Sequence, residues 1–176
     1  MAVAALDPAQ LAFRPLSLAD LPKLHRWYAA PHAAPWFADR AGNIDDEYGQ
    51  AVRGEVAIFA YVITYEGVDI GLINWERFGD FPEQMAGYEV TDPDYVNIDV
   101  LVGEPAYVRR GLGAPLVQRF LREIVFQDPR YSTCVIDPHE GNVAAIRAYA
   151  KAGFRYVRTV VDPEDGTTRL HLMQWP

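Results

Sequence analysis

A short segment with two arginines and two glycines has the residue types needed to bind an anion. It lies in the run NIDVLVGEPAYVRRGLG, from Asn97 to Gly113, where a predicted buried strand ends in a loop and a helix follows. Glycine has no Cβ, so backbone N–H groups at Gly111 and Gly113 can approach a ligand closely. A helix start adds unpaired N–H donors and partial positive charge, and Arg109 and Arg110 add formal charge. The combination suits a pyrophosphate, although RRGLG also fits an ordinary helix start with solvated arginines.

The composition predicts one soluble domain and excludes several other classes of protein. Half of the 176 residues are hydrophobic, which is enough for a core, so we expect a single domain over residues 1–176. No apolar run is long enough to span a membrane, and the first ten residues lack the features of a signal peptide. The single cysteine, Cys134, excludes a disulfide framework and a cysteine-rich metal site. We therefore expect a cytoplasmic protein without a membrane partner or a bound metal.

The net charge of the chain narrows the choice of partners. It is −8 at pH 7, with a pI near 4.9. An acidic protein is not attracted to the phosphate backbone, so we expect no nucleic acid among its partners. The same charge is compatible with attraction of a cationic partner. The sequence shows no internal repeat and no low-complexity tract, which agrees with a single domain.

Hydrophobic patterning predicts the elements in the first half of the chain. Alternating and β-branched residues predict strands, and apolar residues at three- and four-residue spacing predict helices. Pro31 and Pro35 are expected to leave residues 32–37 as a loop that carries Trp36. The predicted elements are a strand at 11–16, a helix from Ser17 to about Ala30, a helix from Ile44 to about Arg53, and two strands joined by a tight turn at 56–65 and 68–77.

The second half of the chain is predicted to supply the central strand and the two helices that follow it. Residues 78–87 are expected to be irregular, followed by a short strand at 87–90. The remaining predicted elements are a strand at Val96–Val102, a helix from Gly111 to about Phe126, a strand at 132–138, a helix with Asn142 near its start and Gly153 at its end, and strands at 154–161 and 168–175. This order is typical of an α/β or α+β fold with one mixed sheet and helices on both faces.

The order of the elements and one helical motif resemble the GNAT acyltransferase superfamily over most of the chain. The motif is N-x-x-A-I-R-x-Y-x-K-x-G-F, from Asn142 to Phe154, and it follows the strand, the RRGLG loop, a helix and a strand. One position departs from the family pattern, because Val108 stands where Arg or Gln is usual. The resemblance implies the GNAT fold, with a mixed, mostly antiparallel central sheet flanked by helices on both faces, and acetyl-coenzyme A as cofactor.

Within that superfamily the sequence is most similar to aminoglycoside 6′-N-acetyltransferases. The matching segments, in the same order, are Thr91-Asp92-Pro93, Ile98-Asp99, RGLGAPLV, FQDPR and Asp137-Pro138. The loop GEPAYVRRGLG also resembles the corresponding loop of siderophore lysine N-acyltransferases. The sequence pattern of those enzymes, however, has His at the position of Asp99. The resemblance implies acetylation of the 6′-amine of an aminoglycoside, and hence antibiotic resistance, with a lysine or hydroxylysine siderophore precursor as the alternative substrate.

The resemblance also implies how acetyl-coenzyme A binds. Its pantetheine arm is expected to form backbone hydrogen bonds with the central strand, at Val100, Leu101 and Val102. Its pyrophosphate is expected on the arginine–glycine segment and the following helix start, at Arg109, Arg110, Gly111, Leu112, Gly113 and Ala114.

Two residues of the helical motif are expected to complete the cofactor site. Asn142 and Tyr149 are seven residues apart and lie on nearly one face of a helix. The resemblance implies that Asn142 holds the pantetheine and that Tyr149 binds beside the cofactor and protonates the departing thiolate. The alternative for Tyr149 is a core aromatic residue at helical spacing.

Amine acetylation requires a neutral amine, whereas the substrate is protonated at pH 7. We expect Asp99 to bind the ammonium group and to accept its proton, directly or through water. Asp99 lies in the otherwise apolar strand IDVLV, where an unpaired buried acid would be costly. The alternative is a structural Asp99 that faces an arginine or a helix end.

An aminoglycoside carries several ammonium groups, so further acids are expected in its pocket. The family correspondence points to Asp137, Asp80 and Glu89, with Trp36 as a face for a sugar ring. The alternative for each loop acid is a solvated surface position.

Two other classes of function stay open, a coenzyme A-binding protein without turnover and a peptide or protein N-acetyltransferase. A monomer and a homodimer are both compatible with the sequence.

Overall fold

The computed structural model describes residues 5–37, 40 and 42–176. Residues 1–4, which belong to the N-terminal segment predicted not to be a signal peptide, lie outside the described residues. The strands are β1 (Leu11–Pro15), β2 (Ile58–Tyr65), β3 (Val68–Arg77), β4 (Val96–Val102), β5 (Cys134–Ile136), β6 (Arg155–Val161) and β7 (Arg169–Trp175). The α-helices are α1 (Leu21–Tyr28), α2 (Ala34–Phe37), α3 (Ile44–Arg53), α4 (Pro82–Gly87), α5 (Gly113–Glu123) and α6 (Val143–Ala152). None of the helices among these residues is long and apolar enough to cross a membrane.

The strands form one mixed sheet in the order β1-β2-β3-β4-β5-β7-β6. β1 is antiparallel to β2, and β7 is antiparallel to both β5 and β6. β4 runs parallel to β5, and their register covers Val96 and Asn97 at the start of β4. A parallel pair needs a long crossover, which here contains α5. The predicted mixed, mostly antiparallel sheet is confirmed.

Contacts divide the chain into two compact units, Met1–Trp75 with Asp99–Leu112, and Glu76–Ile98 with Gly113–Pro176. In the first unit, α1 and α3 bury their apolar faces together with residues of β2, β3 and β4. This cluster includes Leu24, Trp27, Tyr28, Ile44, Tyr48, Val62, Leu72 and Leu101. Burial raises the pKa of the Tyr28 and Tyr48 hydroxyls, so both side chains stay neutral at pH 7.

The start of the arginine–glycine loop packs tightly on α1. A Cβ atom at Gly103 would overlap the indole ring of Trp27, so only glycine fits there. The next residue, Glu104, accepts hydrogen bonds from Trp27 Nε1 (2.8 Å) and from Arg26 Nη2 (2.5 Å). These contacts tie the end of β4 to α1 and determine where the loop begins.

A charged cluster joins β1 to the start of α1 and to β3. Arg14 donates to both oxygens of Asp20, at 2.7 and 2.8 Å, and to both oxygens of Asp69, at 2.7 and 3.2 Å. Ser17 N and Oγ donate to the same carboxylate of Asp20, at 3.0 and 2.8 Å. Lys23 contacts both acids. The hydrogen bonds from Arg14, together with those from Ser17, hold the pKa of Asp20 well below its usual value although its side chain is almost buried.

We expect Asp20→Asn to lower the free energy of unfolding at pH 7 by about 2–3 kcal/mol, because Arg14, Ser17 and Lys23 lose a charged acceptor in a partly buried cluster. Asp20 has a lower pKa in the folded protein than in the unfolded chain. Its ionised form therefore stabilises the fold above the unfolded pKa of about 4, and this contribution is lost as the pH falls toward the folded value.

Urea unfolding of wild type and Asp20→Asn between pH 7 and pH 3 measures this effect. The difference between the two proteins should be complete at pH 7 and should shrink below about pH 4. Asp128→Asn is the matched control, because it removes a carboxylate from a solvent-exposed pair with Arg130. An equal difference at pH 7 and pH 3 would contradict the role of the Asp20 charge.

In the second unit, one cluster of buried residues covers the region around β5, β6 and β7. It contains Phe78, Tyr88, Val135, Val160, Leu170 and Leu172. Cys134 on β5 is fully buried, and burial raises the pKa of its thiol well above the usual value. This agrees with a small core residue, as the sequence predicts. On the helical side, Gln118 of α5 donates to the carbonyl of Ala152 in α6, at 3.0 Å.

Three local predictions were wrong. Residues 34–37 form the short helix α2 rather than a loop, since Pro35 stands in the first turn, where proline is tolerated. The stretch 78–87 is also ordered, as a 3₁₀ turn at Phe78–Asp80 followed by α4. Residues 87–90 end α4 and form a turn instead of a strand, with the N–H of Val90 donating to the carbonyl of Met85.

Candidate active site

The arginine–glycine segment forms a turn with two left-handed residues. Arg109 has a φ of 58° and Gly111 a φ of 83°, on either side of Arg110. A left-handed residue other than glycine costs on the order of 1 kcal/mol and is concentrated at functional sites. The carbonyl of Arg110 accepts from the N–H of Leu6 at 3.1 Å, which fixes the turn from one side. A Cβ atom added at Gly111 would lie 3.8 Å from the Cβ of Ala5, and no other atom of the described residues, apart from the two chain neighbours, would lie within 4 Å. The turn is therefore open at this point.

The helix that follows starts two residues later than predicted, at Gly113 instead of Gly111. The left-handed backbone of Gly111 cannot belong to a right-handed helix, which explains the shift. A Cβ at Gly113 would lie 3.1 Å from the Cβ of Ala148, so α5 and α6 approach closely here. Ala114 is buried in the first turn of α5, where the N–H groups have no intrahelical partner.

Several backbone groups at and just after the end of β4 already have hydrogen-bond partners within the protein. Gly103 N–H and Glu104 N–H both donate to the carbonyl of Ile70, at 2.8 and 3.0 Å. The carbonyl of Val102 lies 2.8 Å from Nε2 of His32, so that nitrogen carries the donated proton. Leu101 is buried in the core, while Val100 and Val102 are half-buried. The sequence pattern does not point to His32, which is 70 residues away from Val102.

Asp99 on β4 faces an arginine. Nη1 of Arg40 donates to Oδ2 of Asp99 at 2.6 Å, and the two side chains are 29% and 20% exposed. The negative charge of Asp99 raises the pKa of Arg40 well above its usual value. This arrangement matches the structural alternative for Asp99, and it leaves the carboxylate partly accessible. Trp36, in α2 of the same unit, is 38% exposed.

The two predicted residues of the helical motif lie at the start and near the end of α6. Oδ1 of Asn142 accepts from the N–H of Ala145 at 3.2 Å, so this oxygen caps the helix. Tyr149 is 8% exposed and packs near Phe154, with ring centroids 6.2 Å apart. Its burial agrees with the core-aromatic alternative as well as with a proton donor in a dry site. The helix ends at Gly153 (φ 112°), as predicted.

The other predicted substrate acids also have partners. Asp80 accepts from Arg77 at 2.8 and 3.2 Å, and Glu89 is paired with Arg158. Asp137 accepts a hydrogen bond from the hydroxyl of Tyr88. These three acids lie in the second unit, with Asn142 and Tyr149, whereas Asp99, Trp36 and residues 109–112 lie in the first. None of the acids is an isolated charge, so each would bind a substrate ammonium in competition with an internal donor.

The sequence of the chain is similar to those of known proteins. The model of the acetyltransferase (GNAT) domain family matches residues 17–161. The aminoglycoside N(6′)-acetyltransferase type 1 of Klebsiella pneumoniae is 30% identical over 151 residues, which cover 82% of this chain and 74% of the relative. The lysine N-acyltransferase MbtK of Mycolicibacterium paratuberculosis is 26% identical over 154 residues, covering 86% and 68%.

A solved structure agrees with these sequence relationships. The aminoglycoside acetyltransferase AAC(6′)-Ib, in complex with coenzyme A and kanamycin, has a TM-score of 0.78 and 27% identity, with 94% of each chain covered. The family match spans the central strand, the arginine–glycine segment and α6, all of which the structure shows in the predicted order. The chain belongs to the GNAT acetyltransferase family.

Proposed function

We propose that this acetyltransferase transfers an acetyl group from acetyl-coenzyme A to the 6′-amine of an aminoglycoside. The observation that carries the proposal is the carboxylate of Asp99, an acid on the central strand of a GNAT acetyltransferase that is still 20% exposed. An acid at this position can hold an ammonium group and accept its proton. The relative from Klebsiella pneumoniae is named for acetylation of the same amine, and the AAC(6′)-Ib structure holds kanamycin.

The residues of the arginine–glycine turn fit the cofactor. The exposed turn at Arg109–Gly111 and the N–H groups at the start of α5 at Gly113 and Ala114 suit a pyrophosphate. Arg109 is exposed and adds positive charge. The backbone of Val100 and Leu101 is assigned to the pantetheine arm, while the carbonyl of Val102 is shared with His32. When bound, acetyl-coenzyme A supplies an activated acetyl thioester.

The proposed chemistry divides proton transfer between two side chains. The carboxylate of Asp99 accepts one proton from the substrate ammonium, so that the neutral amine can attack the thioester carbonyl and form the new C–N bond. The C–S bond breaks as the phenol of Tyr149 donates its proton to the leaving sulfur, and the second proton of the amine nitrogen restores the phenol. Nδ2 is the donor of the Asn142 side chain and is assigned to the pantetheine, while Oδ1 caps α6. Asp80, Glu89, Asp137 and Trp36 are proposed as substrate contacts.

The amine of a lysine or hydroxylysine siderophore precursor is the second candidate substrate. The similarity to the lysine N-acyltransferase MbtK supports it. Asp99 favours the aminoglycoside, because the siderophore enzymes are expected to have His at this position. A role in antibiotic resistance belongs to the same proposal. The cytoplasmic location, the absence of nucleic-acid and membrane partners, and the monomeric or dimeric state remain predictions.

A thiol-release assay with acetyl-coenzyme A tests the function. Kanamycin-type aminoglycosides, lysine and hydroxylysine derivatives, and peptides are compared at equal amine concentration, and products are identified by mass spectrometry. Acetylation of the 6′-amine with the highest kcat/KM supports the proposal. Preference for the lysine derivatives or peptides would replace it with the corresponding alternative, and absence of turnover on every amine would support a binding protein.

We expect Gly111→Val to weaken coenzyme A binding by about 10-fold or more, because a β-branched residue cannot hold the left-handed backbone of the turn without strain. Gly54→Val is the matched control. Gly54 is also left-handed (φ 71°) and has open space around it, but it ends α3. Titration calorimetry measures affinity and thermal unfolding measures stability. If Gly111→Val binds coenzyme A as tightly as wild type and Gly54→Val do, the turn is not part of the cofactor site.

A further inference from the structure

The acid assigned to the substrate amine already holds a cation. Arg40 contacts Asp99 through one nitrogen, Nη1, and one oxygen, Oδ2. The contact is thus monodentate, unlike the two-pronged pairing of Arg14 with Asp20. Within residues 5–37, 40 and 42–176, no hydrogen bond reaches Oδ1 of Asp99. A carboxylate oxygen offers lone pairs to more than one donor, so Oδ1 can accept from an amine while Arg40 remains on Oδ2.

The charges around this pair show why Arg40 matters for binding. The charges of Arg40 and Asp99 act on the pKa values of the Tyr28 and Tyr48 hydroxyls, but burial keeps both hydroxyls neutral, so neither adds a charge to the pair. Glu47 is a further acid whose charge acts on Arg40. An incoming amine therefore meets an Asp99 charge that is largely balanced by Arg40. Attraction for a cation is weaker at such a pair than at a lone carboxylate of equal exposure.

We propose that Arg40 is a specificity-determining residue that competes with the substrate ammonium group for Asp99. It occupies Oδ2, leaves Oδ1 for the amine, and limits how tightly the site binds cationic substrates. The inference rests on the proposed function, because it assigns the amine to Asp99. It adds a residue that lies 59 positions from Asp99 and outside the motifs that suggested the site.

Removal of the positive charge of Arg40 should strengthen binding of a polycationic substrate. We expect Arg40→Gln to lower the Kd for kanamycin about 10-fold at low salt, with a smaller gain at high salt, because the uncovered carboxylate attracts cations more strongly. Arg40→Lys keeps the charge and should bind kanamycin within about threefold of wild type. A monoamine such as methylamine should gain less than kanamycin from the same change.

A double-mutant cycle separates this effect from a general loss of positive charge. Titration calorimetry with kanamycin is run on wild type, Arg40→Gln, Asp99→Asn and the double variant, each checked for folding by thermal unfolding. The gain from Arg40→Gln should disappear in the Asp99→Asn background. Arg53→Gln is the charge-matched control, because Arg53 pairs with Glu55 on an exposed part of the first unit. It should leave the Kd unchanged.

The possible results distinguish the two proposals. If wild type acetylates kanamycin but Arg40→Gln binds it no more tightly, or gains equally without Asp99, the inference is overturned and the function stands. If wild type neither binds nor acetylates kanamycin while Arg40→Gln binds it through Asp99, the function falls and the inference stands. If neither protein binds it, both are overturned. Should Arg40→Gln fail to fold, Arg40→Met is measured in its place, with the same gain expected.

Discussion

Asp99→Asn is expected to lower kcat for acetyl transfer by about 10²–10⁴-fold, the range for loss of a positioned general base. Asparagine has nearly the same shape as aspartate, but it carries no charge and does not accept a proton from an ammonium group. The affinity for coenzyme A should change little, because the cofactor is assigned to the turn at Arg109–Gly111 and to backbone groups. Steady-state kinetics and calorimetry measure the two quantities separately.

The structure requires a stability control for this variant. Asp99→Asn leaves Arg40 partly buried without its carboxylate partner, which we expect to cost about 1–3 kcal/mol of folding free energy. Asp45→Asn is a matched control, because it removes an exposed acid that pairs with His25 in the same unit. A folded Asp99→Asn protein with unchanged kcat would show that the pair with Arg40 is purely structural.

Tyr149→Phe is expected to lower kcat by about 10- to 1,000-fold, the range for a positioned proton donor. Phenylalanine fits the space of the buried ring, so packing against Phe154 should be retained. The loss should be smaller with a thioester donor whose thiol has a lower pKa, because such a thiolate needs less protonation as it leaves. A packing defect would not depend on the leaving group.

Tyr131→Phe is the control for this experiment. Tyr131 is 8% exposed, the same as Tyr149, and lies in the same unit. Its replacement should lower stability by a comparable amount and leave kcat near that of wild type. If both variants lose equal activity, or if Tyr149→Phe is fully active with every donor, the phenol is a core residue and the proton comes from elsewhere.

The elements with local signals were predicted well from the sequence. The helix at Ile44–Arg53 and the central strand at Val96–Val102 have the predicted bounds. The helix α6 begins after its predicted cap, Asn142, and ends before its predicted stop, Gly153. In each case the pattern of apolar residues and the residues at the ends agree. The family resemblance is carried by the same part of the chain, and the family match confirms it.

The short ordered stretches between these elements could not be predicted in the same way. α2 has four residues and α4 has six, which is too few to show helical periodicity. Pro35 and Pro82 also look like helix breakers in a sequence, although both stand in a first turn. The turn at residues 87–90 resembles a strand in composition, and its backbone hydrogen bonds to α4 decide otherwise.

The candidate site shows a similar limit. Residue types and motifs point to the acids, but not to the donors that hold them. Arg40 is 59 residues from Asp99, and Arg158 is 69 residues from Glu89. No spacing rule connects residues at such separations, because the fold alone brings them together. Arg77 and Asp80 are three residues apart, so this pair is one that a local rule could have found.

The reactivity of the buried thiol of Cys134 can be used to measure unfolding of the chain. A buried thiol with a raised pKa reacts slowly with disulfide reagents, whereas free coenzyme A reacts at once. With folded protein, the colour that such a reagent produces therefore measures the coenzyme A released by turnover, without background from the protein. Each opening of the second unit exposes one thiol, the single cysteine of the chain. The slow labelling rate would thus give the frequency of that opening under native conditions, for wild type and for each variant.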